Sequence, residues 1–194
     1  MFIAQIRPAI VSFILLTVIT GVLYPLLVTG ISQVVFHQQA QGSLITLSDG
    51  KVVGSSLIGQ NFDDPKYFWG RLSATSPSYN ASASSGSNLG PSNSALTDNI
   101  KARIAALKTV DPNNTALIPV DLVTSSGSGL DPHISLAAAN YQLSRVAHRR
   151  GLSEETIKTI VNQYTQGRFL GLLGEPVVNV LQLNLAIDET VAKH

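Results

Sequence analysis

The stretch AIVSFILLTVITGVLYPLLVTGI, residues 9–31, runs for 23 positions without a charged side chain and is dominated by Ile, Leu, Val and Phe. It lies inside a longer gap, from Arg7 to Asp49, that contains no Asp, Glu, Lys or Arg. As an α-helix it is about 35 Å long, enough to cross a hydrocarbon core of roughly 30 Å. A cleaved export signal is the competing reading. It expects an apolar core of about 7–15 residues followed by a small-residue cleavage site. Here the run is longer and no A-x-A pattern follows it. Segment 1–36 therefore reads as an uncleaved transmembrane anchor. Arg7 and the amino terminus lie on one side of the run, and the other side has no Lys or Arg before Lys51. The positive-inside rule then puts the N-terminus in the cytoplasm and the remaining chain outside.

Thr17, Thr20, Gly21 and Tyr24 recur at helical spacing on one side of this anchor, and Pro25 follows. Small and hydroxylated residues let transmembrane helices approach closely. Pro25 removes a backbone donor and is expected to kink the helix. Two readings fit: a face packed against other transmembrane helices, or ordinary scatter of Thr and Gly in a lone anchor.

Composition agrees with membrane association. Of 194 residues, 44% are hydrophobic and 13% charged, about half the usual charged share. Thirteen basic against twelve acidic residues give a net charge of +1, with no basic stripe of the kind a nucleic-acid module needs. The absence of cysteine excludes disulfides, thiolate zinc sites, iron–sulfur clusters and a cysteine nucleophile.

Residues 37–194 read as one polar, mixed domain, making the chain an α+β protein with one transmembrane helix. Asp49-Gly50 between the apolar segments 43–47 and 52–58 signals a hairpin. Tyr67, Phe68, Trp69 and Arg71 form the densest aromatic cluster. It is either a partner surface, since Trp, Tyr and Arg are favoured in interface hot spots, or hydrophobic core plus one surface Arg. Residues 73–94, rich in Ser, Asn, Gly and Ala, form a long loop. Leu96, Ile100, Ile104 and Leu107 predict a helix over 95–109. Residues 118–123 look strand-like, followed by a Ser/Gly loop. Ser135 caps a helix over 136–149 with Gly151 as terminator. Ser153, with Glu154 and Glu155 behind it, starts another that ends near Gly167. Leu181, Leu183, Leu185 and Ile187 alternate and predict a strand, although Leu and Gln also suit a helix.

Chemical motifs are sparse. There is no P-loop and no G-x-G-x-x-G. His37, His133, His148 and His194 show no metal-ligand spacing. Ser128, Asp131 and His133 are too crowded for a triad whose members must converge with distinct roles, and Ser126 stands where a nucleophile elbow needs Gly. Gly127 and Gly129 allow a small backbone nest for a phosphate, or simply a flexible turn.

Several segments together carry a resemblance. They are Arg7-Pro8-Ala9 opening an anchor with Tyr24-Pro25, Gly42-Ser43-Leu44, the run GSSLIGQNF at 54–62, and YFWGR at 67–71 with Ser73-Ala74-Thr75. Tyr79-Asn80, SGSNL at 85–89, PVDLVTSSGSGLDP at 119–132, Arg145-Val146-Ala147 and GEPVVNVL at 174–181 complete the order. The chain resembles, nearly end to end, the C subunit of the Kdp potassium-transporting P-type ATPase of bacteria and archaea. Leu72 departs from the family's usual Pro after the Arg.

The resemblance implies a non-catalytic subunit of the plasma (inner) membrane. Its implied partners are a channel-like potassium-selecting subunit, a P-type ATPase subunit and membrane lipid. The chain carries no Asp-Lys-Thr-Gly phosphorylation motif. The resemblance further implies that the subunit stabilises assembly and raises the ATP affinity of the ATPase subunit as a catalytic chaperone. No tightly bound cofactor is implied, only transient ATP, with Thr124, Ser125, Ser126, Gly127, Ser128, Gly129 and Gln142 as the corresponding contacts. An external domain conflicts with direct contact to cytoplasmic ATP. The alternative is an independent membrane-anchored extracytoplasmic enzyme or binding protein.

Overall fold

Pro25 has no N–H, and its ring would collide with the carbonyl one turn back. The computed structural model, which describes residues Phe2–Ala192, answers that constraint with a widened turn. Helix α1 (Phe2–Val18) passes into a π-helical turn (Ile19–Leu23), where the Tyr24 N–H bonds the Ile19 carbonyl five residues back, and continues as α2 (Tyr24–Val35). The span from Ala4 to Val35 is thus one helical run of 32 residues, and an 18-residue stretch within it reaches a mean hydropathy of 2.4. Pro25 is absorbed in the helix rather than ending it. A short helix α3 (His37–Ala40) follows.

The chain divides into two compact units, residues 1–44 and 45–194. Strands β1 (Leu44–Thr46) and β2 (Val52–Ser55) form the hairpin expected at Asp49-Gly50, with Gly50 at a φ of 83°. After the long loop come α4 (Ser94–Val110), β3 (His133–Ser135), α5 (Leu136–Arg150), α6 (Glu154–Gln163), β4 (Thr165–Gln166), β5 (Val177–Asn179) and α7 (Val180–Ala192). Strand β5 is central, antiparallel to both β3 and β4. The α+β expectation holds. The caps fall where the sequence places them: Ser135 Oγ accepts from Ala138 N, Ser153 Oγ from Thr156 N, and Gly151 closes α5 at a φ of 65°.

Two elements differ from expectation. Residues 118–123 are not a strand but a 3₁₀ turn (Val120–Leu122), because Pro119 starts a turn and the Asp121 carboxylate accepts from both Ser135 N and Ser135 Oγ. The alternating leucines belong to α7. Val180, Leu183, Asn184 and Ile187, spaced three and four apart, are its buried face. Asn184 counts as a solvent-facing residue in the alternation, yet it is buried. α6 also stops at Gln163, short of Gly167.

The core is built from Phe68, Leu122, Ile134, Val146, Ile157, Leu183 and Ile187 among others. Into it leads segment 65–71, which begins in a turn closed by Tyr67 N donating to the Asp64 carbonyl and then runs as irregular chain through buried Phe68–Gly70, with no strand partner until the bridge at Leu72. Buried backbone polar groups must nonetheless be satisfied. Side chains do it. The Pro65 and Tyr67 carbonyls accept from Arg145, Lys66 from Arg150, Phe68 from Asn184, Trp69 from Gln142, Gly70 from Arg103 and Arg71 from the Tyr79 hydroxyl. Asn184 and Gln142 also accept from the Phe68 and Trp69 amides at 2.8 and 2.9 Å. Each amide side chain therefore imitates one rung of a β-ladder.

Gln142→Leu leaves the Trp69 amide and carbonyl without partners in a site closed to water, at about 1–3 kcal/mol for each group. The expected loss is about 2–5 kcal/mol, with a similar loss for Asn184→Leu. Urea unfolding of the full chain in detergent checks it, followed by the fluorescence of Trp69, the sole tryptophan. Unchanged midpoints would mean that the segment is held by packing alone.

Candidate functional site

Each group of residues singled out from the sequence has a definite place. In the anchor, Thr20 and Gly21 lie within the π turn, and Thr17 and Tyr24 flank it. The Thr20 hydroxyl donates to the Leu16 carbonyl at 2.7 Å and so is engaged within the helix. A side chain built at Gly21 would meet nothing within 4 Å, and Tyr24 is 64% exposed. Nothing in the first unit covers this face.

The aromatic segment is core rather than surface. Phe68 and Trp69 are buried at 0% and 4% exposure, so they offer nothing for a partner to touch. The Trp69 ring lies under the guanidinium groups of Arg103 and Arg145, at 4.8 and 5.3 Å from its centroid. Burial pushes Arg145 down to about 10, which leaves it cationic at neutral pH. Tyr67 is half-buried, its hydroxyl donating to Asp188 and its ring beneath Arg150 at 4.5 Å.

Arg71 leads to the Ser/Gly loop. It pairs with Asp131 at 3.2 Å and donates to the Ser125 carbonyl. Leu72 and Ser125 pair as a parallel bridge, with the Ser126 amide donating to the Leu72 carbonyl. Leu thus serves in a bridge through its carbonyl, a role open to any residue there. On the other side the loop packs against residues 73–86. Ser85 N and Ser84 Oγ donate to the Ser128 carbonyl, and Ser73 Oγ donates to the Gly129 carbonyl at 2.7 Å. Gly129 has a φ of 69°, and a Cβ there would lie 2.6 Å from the Ser85 carbonyl oxygen, so only glycine fits. The Ser/Gly loop is therefore one half of a loop–loop clamp.

Gln142 is elsewhere. It is 1% exposed. Its oxygen accepts from Trp69 N and Arg145, and its nitrogen donates to the Trp69 and Ala138 carbonyls. That consumes two acceptor and two donor positions, the full capacity of the amide. Among the described residues no hydrogen bond joins it to Thr124 or to the loop beyond.

The open side of Thr124 and Ser125 faces a cavity of about 270 Å³ lined also by Leu72, Leu96, Ile100 and Arg103. That is at or below the lower end of ligand pockets, about 300 Å³. Arg103, its one cation, is committed to the Leu122 and Gly70 carbonyls. Among the described residues no three His, Cys, Asp or Glu side chains converge to hold a metal, and His194 lies outside them.

Of the residues that hold segment 65–71, Arg103, Arg150 and Asn184 stand in no motif, and Arg145 enters only as part of the Arg145-Val146-Ala147 of the resemblance. The signal available was a charged or amide residue set among apolar neighbours, as in Leu143-Ser144-Arg145-Val146 and Leu183-Asn184-Leu185.

Asp131 shows how the clamp responds to acid. Burial pushes its carboxyl up, but hydrogen bonds from His133 and the Arg71 charge outweigh that and hold it below the ordinary range. A lowered folded-state value means stability present above the unfolded pKa of about 3.9 and lost as pH falls through the folded one. Asp131→Asn is expected to cost about 1 kcal/mol at pH 7 and nothing once wild type is protonated. Unfolding midpoints measured from pH 7 down to pH 2 check this. A pH-independent difference would mean that the ion pair contributes nothing.

Comparison with known proteins follows the same boundaries. Residues 6–189 match the family model described as "KdpC: K+-transporting ATPase, c chain". The Potassium-transporting ATPase KdpC subunit of Dechloromonas aromatica is 63% identical over 184 residues, covering 94% of this chain and 96% of the relative. That of Ralstonia nicotianae is 64% identical over 185 residues, covering 95% and 90%. That of Sorangium cellulosum is 60% identical over 186 residues, covering 95% and 97%. With the match running through anchor, aromatic segment, loop clamp and α7 alike, the chain belongs to the KdpC family, the c chain of the K+-transporting ATPase.

Proposed function

We propose that the chain is a non-catalytic subunit that stabilises the assembly of a potassium-importing complex, its anchor packing against helices of the channel-like and ATP-hydrolysing subunits. The observation that carries this is the run of small and hydroxylated residues Thr17, Thr20 and Gly21 on a helix that its own unit leaves uncovered on every side. Close helix approach in a bilayer depends on such small residues. The π turn beside it leaves a local irregularity in the helix, a feature frequent at functional sites.

Any effect on the ATP affinity of the ATPase subunit is then indirect. Gln142 is saturated within the core and the Ser/Gly loop is bound to residues 73–86, which supports a structural role for both. An allosteric effect requires the subunit to interact differently with two states of its partner, and a helix packed among partner helices is placed to do so. The N-terminus is cytoplasmic and the domain extracytoplasmic, following the positive charge of Arg7.

Two measurements test the reading. Gly21→Leu is expected to reduce recovery of the partner subunits by co-purification, with the chain itself still inserted in the membrane. Undiminished recovery would remove the anchor face as the assembly contact. Lys101→Cys, on exposed α4 and the only thiol in the chain, is expected to react with a membrane-impermeant maleimide in intact cells. Reaction only after permeabilisation would reverse the orientation and restore the Ser/Gly loop as a nucleotide contact.

A further inference from the structure

The arm joining β4 to β5 ends in Arg168-Phe169-Leu170-Gly171-Leu172-Leu173-Gly174-Glu175. Phe169, Leu170, Leu172 and Leu173 are 68, 79, 81 and 64% exposed. Four large apolar side chains thus stand together at one tip with nothing in the second unit over them. Isolated exposed leucines are ordinary, whereas clustered ones mark contact with another molecule or a membrane.

The backbone of this tip is closed on itself. Phe169 and Leu173 pair as an antiparallel bridge. Phe169 N donates to the Leu173 carbonyl, Leu172 N and Leu173 N to the Phe169 carbonyl, and Gly171 N to the Arg168 carbonyl, at 2.8 to 3.1 Å. The reversal is made by Leu170 and Gly171 at φ of 53° and 74°. Leu170 carries its large apolar side chain at a φ that favours glycine. Behind the tip, Arg168 grips Glu175 through both carboxylate oxygens at 2.9 and 2.8 Å. The apex is therefore wholly apolar, with a charged boundary immediately beneath it.

We propose that this tip is a lipid-contacting wedge, inserting its Phe and Leu side chains into the interfacial layer of the bilayer that holds the chain's own anchor, with Arg168 at headgroup level. Three observations favour lipid over a protein pocket. The apex is Phe and Leu only, whereas protein hot spots favour Trp, Tyr and Arg and under-use Leu. Four amides of the tip, those of Phe169, Gly171, Leu172 and Leu173, are bonded within the turn, so fewer backbone groups must be desolvated at the headgroup level than in an open loop. The chain is also tethered, since the segment from Val35 to Ile45 reaches at most about 35 Å even when fully extended. Tethering keeps the bilayer at high effective concentration, so even weak insertion is populated.

The test uses the full chain alone in phosphatidylcholine–phosphatidylglycerol nanodiscs, so that no other subunit is present and the assembly role is not involved. Leu172→Cys carries an environment-sensitive nitrobenzoxadiazole label, and Lys101→Cys is the reference. Insertion of about 5–10 Å predicts a blue-shifted emission at 172 that falls about twofold or more when lipid nitroxide-labelled near the headgroup is included. The label at 101 should not respond. Adding Leu170→Asp to the 172 variant should abolish the quenching. Equal, weak quenching at 172 and 101 overturns the proposal. If the label at 172 then shifts only when the other subunits are co-purified, the tip meets a protein instead.

Discussion

Seven consecutive carbonyls, from Pro65 to Arg71, are bound by side chains rather than by a neighbouring strand. The rest of the second unit is arranged around that constraint. The segment must cross the core to place Phe68 and Trp69 there, and its polar backbone must come with it. An unmet buried carbonyl or amide costs about 1–3 kcal/mol, so the donors cannot be optional. They come from α4 through Arg103, α5 through Gln142, Arg145 and Arg150, and α7 through Asn184. Three helices are thereby fixed to one irregular segment. The short sheet β3-β5-β4 is then a complement to this scaffold rather than its foundation.

The cationic side chains in this scaffold act at short range. Arg103 and Arg145 combine carbonyl hydrogen bonds with the face of Trp69, so each guanidinium is both satisfied and covered. Arg71 extends the same pattern to the loops, holding Asp131 and the Ser125 carbonyl while its own carbonyl is held by Tyr79. Groups committed in this way are poorly placed to bind and release a ligand.

The anchor follows a different logic. Its backbone is satisfied internally, so it needs lipid or other helices only for its side chains. Pro25 would interrupt that arrangement, and the π turn restores continuity by moving one hydrogen bond to the fifth residue back. The turn falls where Thr17, Thr20, Gly21 and Tyr24 already make the helix narrow and polar.

The amino-acid sequence by itself determined the anchor, the hairpin at Asp49-Gly50, the helices with their caps at Ser135, Ser153 and Gly151, and the family. Each of these is local or collinear: an uncharged run, a turn dipeptide, an N-cap hydroxyl three residues from its amide, a string of motifs in order. The roles of Gln142, Arg145 and Asn184, the burial of Phe68 and Trp69, and the helical state of 180–192 were decided only by the tertiary structure. An amide or guanidinium reads as solvent-facing until the distant carbonyl it serves is known. The partner of Asn184 is Phe68, 116 residues away, and no periodicity within α7 reports it. For the same reason the leucines around Asn184 alternate like a strand: the polar residue between them faces inward, toward a backbone that has no other partner.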